Sequence, residues 1–274
     1  MSSLAIRRRK KFDVWWEDFD VIEIYLGMFS GGWALDGRTQ GWSSHDVAWQ
    51  ALERWTQDIE EQHASRWRKV RIVLWLSGGL ARPYLCGPIS GLTSWSEAET
   101  FAVAAAPEVT GFEGPCCVQL EDWPGDAPAL GTAIDVSLAE SIHALARSRR
   151  IVWRSVRPRW AAVLDEALAH RPSIGMVAFA EEDALTVLGG PSLNVPSTSS
   201  FGFDLAATYS PSPSRIQAMA LWHRMLLSRD LQSDDAWFEH LESIAERGGT
   251  DAAAEDGNPT MWPSAARGTE AFVS

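Results

Sequence analysis

The sequence predicts an α/β fold of mixed sheets flanked by helices, and three observations carry the prediction. Two apolar runs, residues 21–27 (VIEIYLG) and 70–76 (VRIVLWL), are short enough for strands and too apolar for strands exposed on both faces. Other segments carry apolar residues at helical spacing behind a Ser or Pro that can start a helix. Gly- and Pro-rich punctuation separates the two kinds of segment.

Taken in order, the 21–27 strand is followed by Gly31 and Gly32, which predict a turn into a second strand over 33–36. Ser43, with Asp46 three residues on, predicts a cap for a helix burying Ala48, Ala51, Leu52, Trp55 and Ile59. After the 70–76 strand, Ser77-Gly78-Gly79 breaks the chain and 82–87 resumes it as a short strand. Ser94 and Glu97 form a capping box for a helix to about Ala106, with Ala98, Phe101, Ala102 and Ala105 inward.

Residues 116–120 and 130–136 predict a hairpin around Trp123-Pro124-Gly125-Asp126. Ser137 and Glu140 predict the cap of the next helix, with Leu138, Ile142, Leu145 and Ala146 on one face. A strand over 151–156 leads to Pro158, which opens a helix burying Trp160, Leu164, Ala167 and Leu168. A second unit begins near Arg171, with strands over 174–179 and 184–188. The Pro/Ser stretch 191–200 and helices over 216–228 and 233–246 follow, the last carrying Trp237, Phe238, Leu241 and Ile244. No repeat of fixed period is present.

Composition narrows the function. The 274-residue chain has a net charge of −12, which argues against nucleic acid, since neutralising phosphates needs a basic surface. The basic cluster Arg7, Arg8, Arg9, Lys10 and Lys11 is the exception, fit for a solvated arm or for an acidic surface. Fifteen tryptophans serve either a large core or an interface. Three cysteines, two of them adjacent, read as reduced thiols of a reducing compartment. No apolar run reaches the length of a membrane span, and no leader follows the basic cluster, so a cytoplasmic location is expected.

The signatures of common enzymes are missing. Lys10, Lys11 and Lys69 are the only lysines, and none follows a Gly-rich phosphate loop. There is no GxGxxG after a strand, no HExxH and no GxSxG, so no catalytic residue, metal site or cofactor is expected. Ser77 before Gly78-Gly79 is the nearest candidate for a reactive serine, against a plain strand-ending turn. Glu181, Glu182 and Asp183 would suit metal or acid–base work, but at a hairpin tip such a run reads as a solvated turn.

The order strand, strand, helix, strand, short strand, helix, hairpin, helix, strand, helix resembles a known family. It is similar to the actin-like (ribonuclease-H-type) cytoplasmic domain of the PilM and GspL proteins of type IV pili and type II secretion, in a degenerate, truncated form. The closest stretch runs from Val70 to Leu168, with VRIVLWLS and LARPYLCGP as the paired strand segment. The resemblance implies an actin-like lobe over 20–170 and a reduced second lobe with helices over 171–246. A basic arm over 1–19 and a disordered acidic tail over 247–274 flank them.

Nucleotide-binding members of that superfamily carry Asp-x-Gly at the end of the first strand of each half. Here the matching positions are Tyr25, Leu26 and Gly27, then Phe179, Ala180 and Glu181, which implies loss of nucleotide binding. The resemblance further implies a non-catalytic scaffold at the inner face of an envelope machine, recruited by a partner. That partner would be a membrane subunit's cytoplasmic segment or a motor ATPase. Candidate partner-binding residues are Arg82, Tyr84, Trp153, Arg157 and Trp160, the tryptophans serving equally as core. Two other readings stay open. One is a ribonuclease-H-like metal-dependent nuclease using carboxylates such as Glu23, Asp36, Asp122 and Asp135. The other is a stand-alone interaction or regulatory protein.

Overall fold

A computed structural model describes residues 20–35, 38–65, 70–87, 91, 94–120, 128–171, 174–190, 204–210, 215–232 and 235–241. The basic arm, the 123–126 turn, the 191–200 stretch and the tail lie outside these residues.

A five-stranded sheet is built from β1 (Asp20–Leu26), β2 (Ser30–Leu35), β3 (Arg38–Ser44), β4 (Val70–Leu76) and β8 (Trp153–Pro158). Its order is β3-β2-β1-β4-β8. The first three strands meander antiparallel, while β4 and β8 run parallel to β1. Strand alternation sorts β1 by face. Ile22, Ile24 and Leu26 join Ile72, Leu74 and Leu76 in a core covered by α1 (Ala48–Gln62) and α3 (Val136–Arg149). On the opposite face, Tyr25 packs with Val73 and Trp75 toward Ala162 and toward Leu241 of the second half.

Between β4 and β8 the chain inserts β5 (Ala81–Cys86), α2 (Trp95–Thr110), β6 (Cys116–Leu120) and β7 (Ala129–Asp135). The three strands pair in the order β5-β7-β6, and α2 lays Ala98, Ala102 and Ala106 on them. Small alanines let this helix approach closely.

The second lobe repeats the first in shorter form. Strands β9 (Met176–Ala180), β10 (Leu185–Gly189), β11 (Leu205–Tyr209) and β12 (Ala236–His240) pair in the order β11-β10-β9-β12. Again the first three are antiparallel, and β12 runs parallel to β9. Helix α5 (Arg215–Ser228) precedes β12 as α1 precedes β4. The sheet lies between two helices. Val177 and Phe179 meet Trp160, Val163 and Ala167 of α4 (Arg159–His170), and Met176, Ala178 and Ala180 meet Trp222 of α5. Among the described residues this sheet has four strands to the first sheet's five.

Several local expectations are corrected. Gly31 and Gly32 lie inside β2, and the turn is made by residues 27–29. Ser43 belongs to β3 and caps nothing; the N-cap position of α1 is Val47. Phe101 is 40% exposed rather than inward, and α2 runs past Ala106 to an αL cap at Gly111 (φ 73°). Asp135, not Ser137, caps α3 by accepting from the Ser137 N–H. The largest correction is β12. Its consecutive Trp237 and Phe238 lie on opposite faces of a sheet covered by α4 and α5, which defeats the helical reading.

Candidate functional site

The hairpin turns of β1–β2 and β9–β10 meet across the cleft between the lobes, and their backbones are equivalent. The Gly27 N–H donates to Ser30 O at 2.9 Å, and the Glu181 N–H donates to Ala184 O at 2.7 Å. Past the parallel partner strands, the Ser77 N–H donates to Leu26 O and the Leu241 N–H to Ala180 O, at 2.9 and 2.8 Å. Leu26 therefore matches Ala180, Gly27 matches Glu181 and Tyr25 matches Phe179. Two sheets of order 3-2-1-4, with facing hairpin turns and doubled bridging bonds, decide the fold. The fold is actin-like.

No protein-family model matches the chain, and no curated protein matches it in sequence. Solved structures do. A Bacteroides thetaiotaomicron protein of actin-like ATPase fold and unknown function is similar at 9% identity and a TM-score of 0.49. The match covers 84% of this chain and 85% of that one. The cytoplasmic domain of EpsL, an inner-membrane component of the Vibrio cholerae type II secretion system, is similar at 13% identity and a TM-score of 0.42. The shares covered are 81% and 82%. A chain of the PilM–PilN type IV pilus biogenesis complex is similar at 13% identity and a TM-score of 0.45, with 78% and 67% covered.

In this actin-like cleft the second lobe drives three acids into the first. Glu181 Oε1 accepts from the Tyr25 hydroxyl at 2.8 Å, and Oε2 accepts from the Gly78 N–H at 2.6 Å. Asp183 Oδ2 accepts from the Met28 N–H at 2.7 Å and from Ser77 Oγ at 2.5 Å. Glu182 is exposed and accepts from Ser30 Oγ. The solvated hairpin tip read from sequence is thus replaced by a turn whose Glu181 and Asp183 are 1% and 2% exposed. Ser77, also buried, is spent as a donor to Asp183 and is not poised as a nucleophile.

Backbone access explains the Gly78-Gly79 pair. A Cβ on Gly78 would stand 2.2 Å from Thr186 Oγ1 and 3.0 Å from Glu181 Oε2. One on Gly79 would stand 2.9 Å from Asp183 Oδ2. Glycine at the end of a buried strand marks such a close approach. Read together, the Ser-Gly-Gly break and the acid triplet carry the signal; read apart, each looks like an ordinary turn.

Burial first, then the charge of Asp183, pushes the Glu181 carboxyl well above its usual range. Asp183 is raised chiefly by burial, and Tyr25 is raised by burial and by the charge of Glu181. Arg159 at the start of α4, itself 4% exposed, carries a charge that favours the ionised forms of Glu181, Glu23 and Glu239. Arg159 stands 3.8 Å from Glu239 Oε1 and lies 5.9 Å above Trp75 and 5.8 Å above Phe179. One arginine thus answers carboxylates from both lobes.

The candidate residues fall in several places. Tyr25 is in the cleft, whereas Leu26 joins the first core and the Phe179 ring joins the core under α4. The space beside Gly27 is shared by an aromatic ring and a carboxylate: a Cβ there would stand 3.6 Å from both Tyr25 Cε1 and Asp183 Oδ2. Tyr84 is fully buried with its hydroxyl on Ala102 O, and the buried Trp160 donates to Ala81 O at 2.8 Å. Both are core residues, a correction to their reading as partner contacts. Trp153 packs at the edge of the first core, and Arg157, four residues further along β8, is half-buried. Arg82 donates to Thr110 O at 2.6 Å and to Gly79 O at 3.2 Å, which ties α2 to the Gly-Gly turn. The nuclease carboxylates do not converge where described, since Glu23 faces Arg159 and Asp135 caps α3. Asp36 and Asp122 lie outside the described residues.

A groove of about 380 Å³ lies outside the cleft, where the insertion meets the first core. Val47, Trp49, Leu80, Phe112 and Leu138 line it, with Asp135 at the N-terminus of α3. No described helix is long and apolar enough to cross a membrane.

Proposed function

We propose that this protein is a non-catalytic, actin-like scaffold in the assembly of a type IV pilus or type II secretion-like machine. It would hold a membrane partner's cytoplasmic segment or a motor ATPase, with lobes divided near residue 170. The observation that supports this reading is the seating of Glu181 and Asp183 on the Met28 and Gly78 amides. Three of their four carboxylate oxygens accept hydrogen bonds from the first lobe. A nucleotide phosphate would have to displace them and would meet like charge in doing so. A magnesium ion would compete with the same donors for the same oxygens.

The choice of machine rests on the element order from Val70 to Leu168, which resembles that of the pilus and secretion family. The groove between Leu80, Phe112 and Leu138 is the surface suited to an extended segment with apolar anchors. Localisation at the inner membrane would then come through that partner.

The test is affinity purification of the full chain from its native cells, beside a Leu138→Asp variant. The reading expects inner-membrane pilus or secretion subunits with the wild type and their loss with the variant. A wild-type complex free of such subunits, or one that Leu138→Asp leaves intact, would remove the corresponding part of the proposal.

A further inference from the structure

We propose that the outward side of α2 is a docking surface for a basic amphipathic helix of a protein partner.

Helix α2 is apolar on more sides than it buries. Of its 16 residues only Ala98, Ala102 and Ala106 are buried, a single stripe at i, i+4 spacing. Trp95, Phe101, Val103 and Val109 are 40–55% exposed. They are four of the ten large apolar side chains exposed among the described residues. Helix α1 has the ordinary arrangement, burying Leu52, Trp55 and Ile59 and turning Glu53, Gln57 and Asp58 to water. On α2, Glu97, Phe101, Ala104 and Glu108 fall on one stripe, opposite the buried alanines, and all four are exposed. No α2 residue lines the groove beside Leu80 and Leu138, so this surface is separate from it.

Charge selects the occupant. Residues 83–135 hold eight Asp and Glu and no Lys or Arg, so eight of the chain's net −12 sit in the insertion that carries α2. A second copy would set two acidic faces against each other, and an anionic membrane surface would be repelled. A Lys- or Arg-rich helix is attracted instead, and it can seat apolar side chains against Phe101 between Glu97 and Glu108. Ala104 leaves room there for close approach. Trp95 stands at the start of α2, its indole N–H donating to Glu99 at 2.8 Å, and aromatic anchors of this kind are favoured at interfaces. Cytoplasmic flanks of membrane proteins carry an excess of Lys and Arg, and in naming that source the proposal rests on the scaffold reading.

Fluorescence anisotropy with the full chain tests this. The probe is a labelled Leu/Lys peptide patterned as an amphipathic helix, beside a Leu/Glu peptide of the same pattern. The wild type should bind the Leu/Lys peptide saturably and ignore the other. E97Q/E108Q and Phe101→Ala should each weaken binding at least about fivefold. E53Q/D58N removes the same charge from α1 and should stay within about twofold of wild type. Equal weakening by E97Q/E108Q and E53Q/D58N, or no effect of Phe101→Ala, would mean attraction to net charge alone and would overturn the proposal. R7E/R8E/R9E should leave affinity unchanged; a tenfold gain would make the chain's own basic arm the occupant and would overturn it too. The two readings fail separately. Native complexes free of pilus or secretion subunits would remove the scaffold reading and leave this surface, whereas a peptide indifferent to α2 would remove the surface and leave the scaffold.

Discussion

The Tyr25 hydroxyl donates to Glu181 Oε1 at 2.8 Å, joining two hairpins that are equivalent in the fold and 156 residues apart in the chain. The pair breaks the symmetry of the duplication. The position matching Tyr25 is Phe179, which has no side-chain donor, and the position matching Glu181 is Gly27, which has no side-chain acceptor. One half supplies donors and the other supplies charge. The lobes are therefore held by a directed contact.

Replacing Tyr25 with Phe removes that donor while keeping the ring in its packing with Val73 and Trp75. Leaving a buried acceptor without its donor costs about 1–3 kcal/mol. Urea unfolding should show Tyr25→Phe less stable by about that amount, with Glu181 left short of one partner. An unchanged midpoint and slope would show that the bond contributes nothing.

Stability should fall as pH rises through neutrality. Burial pushes Glu23 up to about 7 from 4.5, with Arg159, Arg154 and Trp75 opposing. A carboxyl raised in the folded state binds its proton more tightly there than in the unfolded chain. The resulting stability is complete below pH 4.5 and is lost as pH passes about 7. Glu181 and Asp183, both raised, act in the same direction. Glu23 alone should account for about 1 kcal/mol between roughly pH 6 and 8. Glu23→Gln should flatten the profile over that window, and a Glu23→Gln curve parallel to wild type would refute the assignment.

Gly78→Ala should destabilise by about 1–3 kcal/mol, because its Cβ would press on Thr186 Oγ1 and on Glu181. Gly87, which would have nothing within 4 Å of an added Cβ, is the internal control. Gly87→Ala should stay within about 0.5 kcal/mol of wild type. Thermal unfolding of the two variants side by side makes the comparison, and equal effects would contradict the close approach at Gly78.

Arg159→Met should be costly at neutral pH and less so in acid. It leaves Glu23, Glu181 and Glu239 without their shared cation, and breaking a buried charge arrangement costs about 3–5 kcal/mol. Lower pH neutralises the abandoned carboxylates, so the deficit measured by urea unfolding should shrink from pH 8 to 5. A deficit unchanged from pH 8 to 5 would mean that Arg159 serves packing alone.

Much of this architecture is legible in the sequence, because burial on one or both faces leaves a periodic trace. The runs at β1 and β4, the Ser94–Glu97 cap and the β6–β7 hairpin are of that kind. Strand β3 leaves no trace, because its sequence RTQGWSS has no apolar alternation. Strand β12 misleads, since two covered faces put adjacent aromatics at positions that also suit a helix. The site is the least legible part. Whether three acids at a hairpin tip meet water or a set of amides depends on a turn 155 residues away. Local sequence rules carry no information about a contact at that separation.

Isothermal titration calorimetry of the full-length wild type with ATP and magnesium is the most direct test of the occupied cleft. The Glu181 and Asp183 carboxylates already hold the amides that would receive phosphate, so no binding heat above dilution is expected. Saturable binding at a Kd near the micromolar range, about −8 kcal/mol, would contradict it and show that the turn gives way to nucleotide.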